Sequence, residues 1–526
     1  MLAKYFCGLL VLVSVHAWSY TSSDESRFIP ADSELSFMLI YPELTQSIYQ
    51  DTSFPILWDS PELVKAFEFQ LSLLEQAQMA PLFERQLKQI RHYQSYAQWQ
   101  ELDILLTDTF IYYLSYVENA PLAGKEWYFS GKLHSKLPAP SPHILMRLKS
   151  SVANDYLLEM VLSYAPPVGD FDQFKATYSV LETASELKID RYRQKGLKRL
   201  GDSLSDKAVL VERIALVGVD TSMIAVDFPV FDRELQAAIQ SFQRMHGLTA
   251  DGIIGPDTIQ WINMSFDDRL SSLALNAERV RLWPRNRDSL IVVNVPSFDM
   301  KYWEDGEEVF ESKVVVGRKS RKTPLLEINL DSVILNPTWN VPWKIMVKDI
   351  LPKVKADESY LETHNFQVID GWRTMETVDT TEIDWQTINF NSFPYRMRQQ
   401  AGSSNALGLY KFNTPNKRAI YLHDTPSKGL FNDDFRAYSS GCIRVEHAEE
   451  LAELLFATKV RKVPNQNDDL APNTKVRLKK RIPVHIIYQT VLFEEGGIQY
   501  RGDIYQYDKE GGVIEMCSIK VILTKK

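Results

Sequence analysis

A histidine and a cysteine lie 19 residues apart in Tyr421-Leu422-His423-Asp424 and Ser439-Ser440-Gly441-Cys442-Ile443-Arg444. The chain has only three cysteines: Cys7, Cys442 and Cys517. Cys7 falls in what reads as a cleaved leader, and Cys517 reads as a core residue separate from Cys442. A thiol becomes a nucleophile at neutral pH when a base or a positive neighbour helps it ionise. His423 ends a strand-like run, Arg418 to His423, and Cys442 sits on a second extended piece entered through Ser-Ser-Gly. Two neighbouring strands would bring imidazole and sulfur within hydrogen-bond reach. Taken alone, such a pair is more often a buried structural cysteine beside an unrelated histidine. The Ser-Gly-Cys context and the surrounding sequence favour chemistry.

The pattern His-x(n)-[Ser/Thr]-x-Gly-Cys-x-[Asn/Arg] resembles the active-site signature of L,D-transpeptidase catalytic domains. Asn405-Ala406-Leu407-Gly408, Lys411-Phe412 and Pro415-Asn416-Lys417 lead into Tyr421 to Pro426, and that run resembles the large, multidomain periplasmic branch of the family. Smaller members carry a second histidine just before Gly-Cys. Ser440 takes that place here, which leaves His423 as the sequence-near base. The resemblance implies that Cys442 attacks the carbonyl of the third residue of a stem tetrapeptide. D-Ala then leaves with a proton from His423, and a second stem's amine attacks the thioester to form a 3→3 cross-link. It also implies that carbapenems acylate Cys442.

Other residues take expected roles around this pair. The backbone N–H groups of Gly441 and Cys442 are the natural oxyanion donors. Arg444 is placed either on a substrate carboxylate or in a surface ion pair. Tyr421 lines the pocket or packs, and Ser439 and Ser440 hydrogen-bond the loop or His423; all four count as substrate-binding candidates. His447, near a helix start, and His246 read as structural or surface residues. No cofactor or metal is expected. Peptidoglycan is the expected partner, with other cell-wall synthesis enzymes possible beside it.

Composition bounds the answer. The 526 residues suffice for several domains, 45% hydrophobic content suffices for packed cores, and the net charge is −9. There is no basic block of the kind nucleic-acid binding needs. Lys4, the apolar run Tyr5 to Val15 and Ala17-Trp18-Ser19 read as a secretory signal over 1–19. The apolar run is short for a membrane span, although an uncleaved anchor is the alternative. Export to the periplasm is the expectation.

The elements that must position the site follow along the chain. The fold class expected is multidomain α+β. Residues 24–204 read as a helical scaffold domain, with three-and-four spacing over Glu101 to Val117 and Asp170 or Asp172 as an N-cap. Residues 205–265 resemble the three-helix peptidoglycan-binding domain, through Phe242-Gln243, Gly247-Leu248 and Asp251-Gly252-Ile253-Ile254-Gly255. Residues 266–288 read as a helical connector. From Leu290 the pattern switches to β-branched strands with a hairpin turn at Glu304 to Glu307. The catalytic domain is assigned to 289–462 and is mostly β. It is interrupted at 344–404 by an insertion that, in the resembling branch, caps the active site. Residues 463–526 read as a C-terminal β extension.

The same residues bear on rival classes. A zinc hydrolase would show ligand spacings such as His-x-His or His-Glu-x-x-His, and the nine histidines show neither. Ser185-x-x-Lys188 lacks the companion motifs of a penicillin-binding protein. A cysteine L,D-carboxypeptidase shares the chemistry and stays open, as does a non-catalytic wall-binding protein.

Overall fold

The computed structural model describes residues 34–508 except 51–55, 130, 132, 134, 461–470 and 495. The leader, Cys7 and Cys517 lie outside the described residues. Among the described residues no helix is long and apolar enough to cross a membrane.

The helices of the first half share one hydrophobic core with Val491 and Tyr500 from the tail. Its hub is the helix Trp99–Phe129, longer than the spacing predicts and buried almost all round from Leu102 to Tyr116. Full burial of a helix leaves no polar stripe for its acidic residues, so these bond to loops. Asp103 accepts the backbone N–H groups of Leu57 and Trp58 at 2.8 and 2.7 Å. Asp108 accepts those of Ile40 and Tyr41 at 2.7 and 2.6 Å. Burial pushes both carboxyls up, and these bonds pull them back down. Asp170 caps the helix Phe171–Glu186 by accepting the Gln173 N–H at 2.9 Å.

The segment expected as a connector is instead a central helix, Phe266–Arg279. Leu270, Leu273 and Ala277 are buried as their spacing predicts, but so are Arg269, Asn276, Glu278 and Arg279. The polar residues can be buried because each finds a partner. Glu278 accepts from Arg281 and Tyr116, both at 2.7 Å. Asn276 bonds Thr490, and Arg279 pairs with Asp508. The tail thus stitches the scaffold to the catalytic half.

Three helices, Lys207–Ala215, Arg233–Met245 and Pro256–Ile262, form the small unit. His246 is a packing residue within it, stacked on Tyr500 at 5.4 Å and accepting from Arg269 at 3.0 Å.

The catalytic half is built from strands β1 (Ser289–Asn294), β2 (Asp299–Glu304), β3 (Glu307–Gly317) and β4 (Leu326–Leu335). The cap follows with β5 (Trp339–Asn340), β6 (Phe366–Ile369) and β7 (Arg396–Gln399). The main sheet resumes with β8 (Tyr410–Asn413), β9 (Leu422–His423), β10 (Ala437–Ser439), β11 (Ile443–Val445) and β12 (Thr474–Ile487). The tail hairpin is β13 (Val491–Glu494) and β14 (Gly497–Tyr500). The main sheet runs β10-β3-β11-β9-β8-β4-β12-β1-β2, and β2 pairs again with β3, so the ladder closes on itself. Asp305 and Gly306 turn the β2–β3 hairpin with φ of 51° and 88°, the left-handed pair that suits strand twist.

The boundary expected at 462/463 does not divide the fold. β12 lies inside the closed sheet, antiparallel to β4 and parallel to β1. Val484-His485-Ile486-Ile487-Tyr488 reads as a strand, and such a run carries no information on which strand it joins. The cap is a separate small layer, β5-β7-β6 with short helices, and has its own core around Met346, Leu351, Trp385 and Met397.

Candidate functional site

The closed sheet places Cys442 and His423 on adjoining strands. β9 and β11 run parallel, with Ile443 opposite Leu422 and Arg444 opposite His423. Alternation along a strand puts residues i and i+2 on one face, so Tyr421, His423, Cys442 and Arg444 share a face. β8 adds Lys411 opposite His423 from the other side.

His423 is buried, and its Nδ1 lies 2.5 Å from the carbonyl oxygen of Asp424. A carbonyl only accepts, so Nδ1 carries the proton and Nε2 keeps its lone pair. Asp424 is itself fixed: its carboxylate accepts the Leu409 N–H at 2.9 Å and pairs with Lys428 at 2.7 Å. Gly408, at φ 61°, makes room for it, since a Cβ there would stand 2.1 Å from Asp424 Oδ2.

Cys442 is half-buried and forms no disulfide among the described residues. Its thiol donates to the Ala419 carbonyl at 3.7 Å rather than to His423. Burial pushes the thiol up; Tyr421, Lys411 and Arg444 act against it. Burial, then the Arg444 charge, pushes His423 down to about 3. Thiol and imidazole therefore rest as a neutral pair, not as a thiolate–imidazolium pair.

Ser439 and Gly441 differ from expectation. Ser439 Oγ donates to the Cys442 carbonyl at 2.6 Å and accepts the Gly441 N–H at 3.0 Å. Its one O–H donor is spent inside the Cys442 loop, and the Gly441 N–H bonds that hydroxyl rather than standing free as an oxyanion donor. Gly441 is still required as glycine by its φ of 119°. Ser440 Oγ accepts from Arg321 at 2.8 Å and from Arg318 at 3.4 Å, and it makes no bond to His423. Among the described residues Arg444 forms no ion pair, and its buried Nε has no partner. Tyr421 meets His423 edge-on at 5.7 Å. His447 is exposed, pairs with Glu450 at 2.9 Å and precedes the helix Ala448–Lys459. Ser185 spends its hydroxyl on the Glu182 carbonyl in a scaffold helix.

Sequence reasoning assigned Lys411 no role. Its ammonium stands 4.1 Å from the centre of the Tyr421 ring, and its charge is felt by Cys442. Only the β8–β9 register, invisible in the sequence, brings it there.

The L,D-transpeptidase catalytic domain model matches residues 288–477. That stretch contains the whole constellation of Lys411, Tyr421, His423, Cys442 and Arg444. The chain carries an L,D-transpeptidase catalytic domain. Alongside this domain, a scaffold domain model matches 43–177, and the model described as "Putative peptidoglycan binding domain" matches 212–262. A Haemophilus influenzae protein named "Putative L,D-transpeptidase" is 43% identical over 256 residues, covering 48% of this chain and 51% of that protein. This chain thus spans about half the length of the curated relative it matches. Among solved structures, an L,D-transpeptidase from Stackebrandtia nassauensis is 13% identical and covers 57% of this chain and 97% of its own, with a TM-score of 0.21. One from Mycobacterium smegmatis is 10% identical and covers 38% and 58%, with a TM-score of 0.20.

Proposed function

We propose that this L,D-transpeptidase joins two peptidoglycan stem peptides through a thioester on Cys442. The observation that carries the reading is the fixed tautomer of His423, whose Nδ1 is held by the Asp424 carbonyl so that Nε2 keeps its lone pair, on a strand paired with the one that follows Cys442. His423 Nε2 takes the Cys442 proton as sulfur adds to the carbonyl of the third residue of a donor tetrapeptide. The imidazolium then returns the proton to the departing D-Ala amine, leaving the thioester. The side-chain amine of a second stem adds to the thioester and gives its proton to His423. Collapse of this second adduct releases the Cys442 thiol and leaves a 3→3 cross-link.

The other groups fit this sequence. Arg444 offers an unpaired guanidinium to a donor carboxylate. Lys411 and Arg444 stabilise charge on sulfur as it develops. The cap limits water around the thioester, which favours an amine over hydrolysis. The unit around 212–262 would hold the enzyme on the wall, and the leader would deliver it to the periplasm, where a carbapenem would acylate Cys442.

The test is mass spectrometry of purified stem tetrapeptides incubated with the protein. Dimers with loss of D-Ala are expected. Tripeptide alone would mean hydrolysis and the carboxypeptidase reading. Cys442→Ser should abolish turnover, and His423→Ala should lower it by roughly 10²- to 10⁴-fold.

A further inference from the structure

The segment Arg318-Lys319-Ser320-Arg321-Lys322 follows β3 and passes beside the nucleophile loop. Arg321 reaches in two directions. Its Nη1 donates to Ser440 Oγ at 2.8 Å, two residues before Cys442. The same guanidinium grips Asp349 of the cap bidentately, with the second bond, Nη2 to Oδ1, at 3.0 Å. Arg318 approaches the same two partners, Asp349 at 3.5 Å and Ser440 at 3.4 Å.

Two guanidinium groups thus converge on one carboxylate beside the nucleophile. The count leaves one positive charge uncompensated. Among the described residues the buried Arg318 Nε has no partner, so the pair has donors to spare. Asp349 comes from a short helical turn, Met346–Ile350, whose Met346 and Ile350 are buried in the cap core. The cap's position and the carboxylate's grip are therefore mechanically linked.

We propose that Arg321 and Arg318 form a carboxylate subsite for the peptide donor, and that Asp349 fills it in the empty enzyme. A planar guanidinium that holds one carboxylate side-on accepts another in the same geometry. Stem peptides present carboxylates, so an incoming donor displaces Asp349, takes the arginines and frees the cap turn from the nucleophile loop. Substrate entry and cap release become one exchange of carboxylates. The inference rests on the peptide-donor reading above and adds to it a binding site distinct from Arg444, which stands on β11 opposite His423.

The test measures binding of a soluble stem tetrapeptide to the full chain carrying Cys442→Ala, by calorimetry. Arg321→Gln should raise Kd about tenfold, the value of one charge-assisted pair. Asp349→Asn should lower Kd severalfold, because it removes the internal competitor. A folding defect could not produce that gain. In the Arg321→Gln background, Asp349→Asn should change nothing. A tetrapeptide amidated at the relevant carboxylate should bind the parent no better than the acid peptide binds Arg321→Gln. A Kd unmoved within about twofold by both single substitutions would overturn the subsite and leave Asp349 a simple cap latch. Failure of the function reading would look different: the intact enzyme would bind tetrapeptide yet form no thioester.

Discussion

Arg444 stands opposite His423 across the parallel β9–β11 pair, and after burial its charge is the main cause of the fall of the imidazole to about 3. A cation beside a buried histidine disfavours its protonation. His423 is then a ready base throughout the range in which an ordinary histidine titrates. The kcat/KM profile should show no acid limb near pH 6.5. Arg444→Gln removes the repulsion, and the acid limb should climb towards the ordinary histidine value. A wild-type limb near 6.5 would contradict this arrangement.

The same depression links the site to stability. The unfolded chain binds a proton at its histidine near pH 6.5, while folded His423 refuses one until about pH 3. The unfolded state therefore holds more protons between those values, and stability falls as pH drops through the window. The loss approaches roughly 3 kcal/mol at pH 4. His423→Gln should lose less stability than wild type between pH 7 and pH 4, measured by denaturant unfolding of the catalytic half. Equal losses in the two proteins would place the imidazole in a more open setting.

Lys411 supplies positive charge to the thiol from a third strand. Removing it with Lys411→Met keeps the stem of the side chain over Tyr421 but deletes the ammonium. The Cys442 thiol should titrate higher, because the ammonium that favours its ionised form is gone. Iodoacetamide labelling at pH 8 should slow several-fold while the fold survives. Labelling at the wild-type rate would mean the charge does not reach the sulfur.

Gly408 allows Asp424 to sit where its carbonyl can fix His423. Gly408→Ala forces a side chain onto φ 61° and into Asp424 Oδ2. The expected cost is about 2–4 kcal/mol, with a loss of turnover larger than the loss of stability alone explains. Denaturant midpoints and tetrapeptide dimer formation, measured together, decide it. An unchanged midpoint would show that the loop yields freely.

Much of this was readable before the fold was known. His423 and Cys442 announce themselves by type and context, and Asp305-Gly306 dictates a hairpin by backbone preference alone. The helix periodicity of Leu270, Leu273 and Ala277 also held. What the sequence concealed depends on register and partner choice. Gly441 looked like a free donor because nothing in Ser-Ser-Gly-Cys says that Ser439 will fold back onto it. Phe266–Arg279 read as a helical connector, and its central place was hidden because the partners of its buried Glu278 and Arg279, Tyr116 and Asp508, lie far off in the chain. Lys411 and Arg321 had no role assigned from the sequence. Each became part of the site only when a strand pairing or a cap turn fixed its neighbours.

The place of β12 has a consequence for the order in which this molecule is made. β1 begins at Ser289 and its parallel neighbour β12 begins only at Thr474, so the ring of strands cannot shut until nearly all of the chain has emerged. Non-local pairing of this kind is slow, because chain closure must be completed before any contact rewards it. The scaffold helices can assemble from local contacts well before that. During synthesis the cell would therefore hold a largely assembled helical half joined to a Cys442-bearing half whose sheet is still open. The reactive cysteine stays chemically ordinary until the final strand slides between β4 and β1.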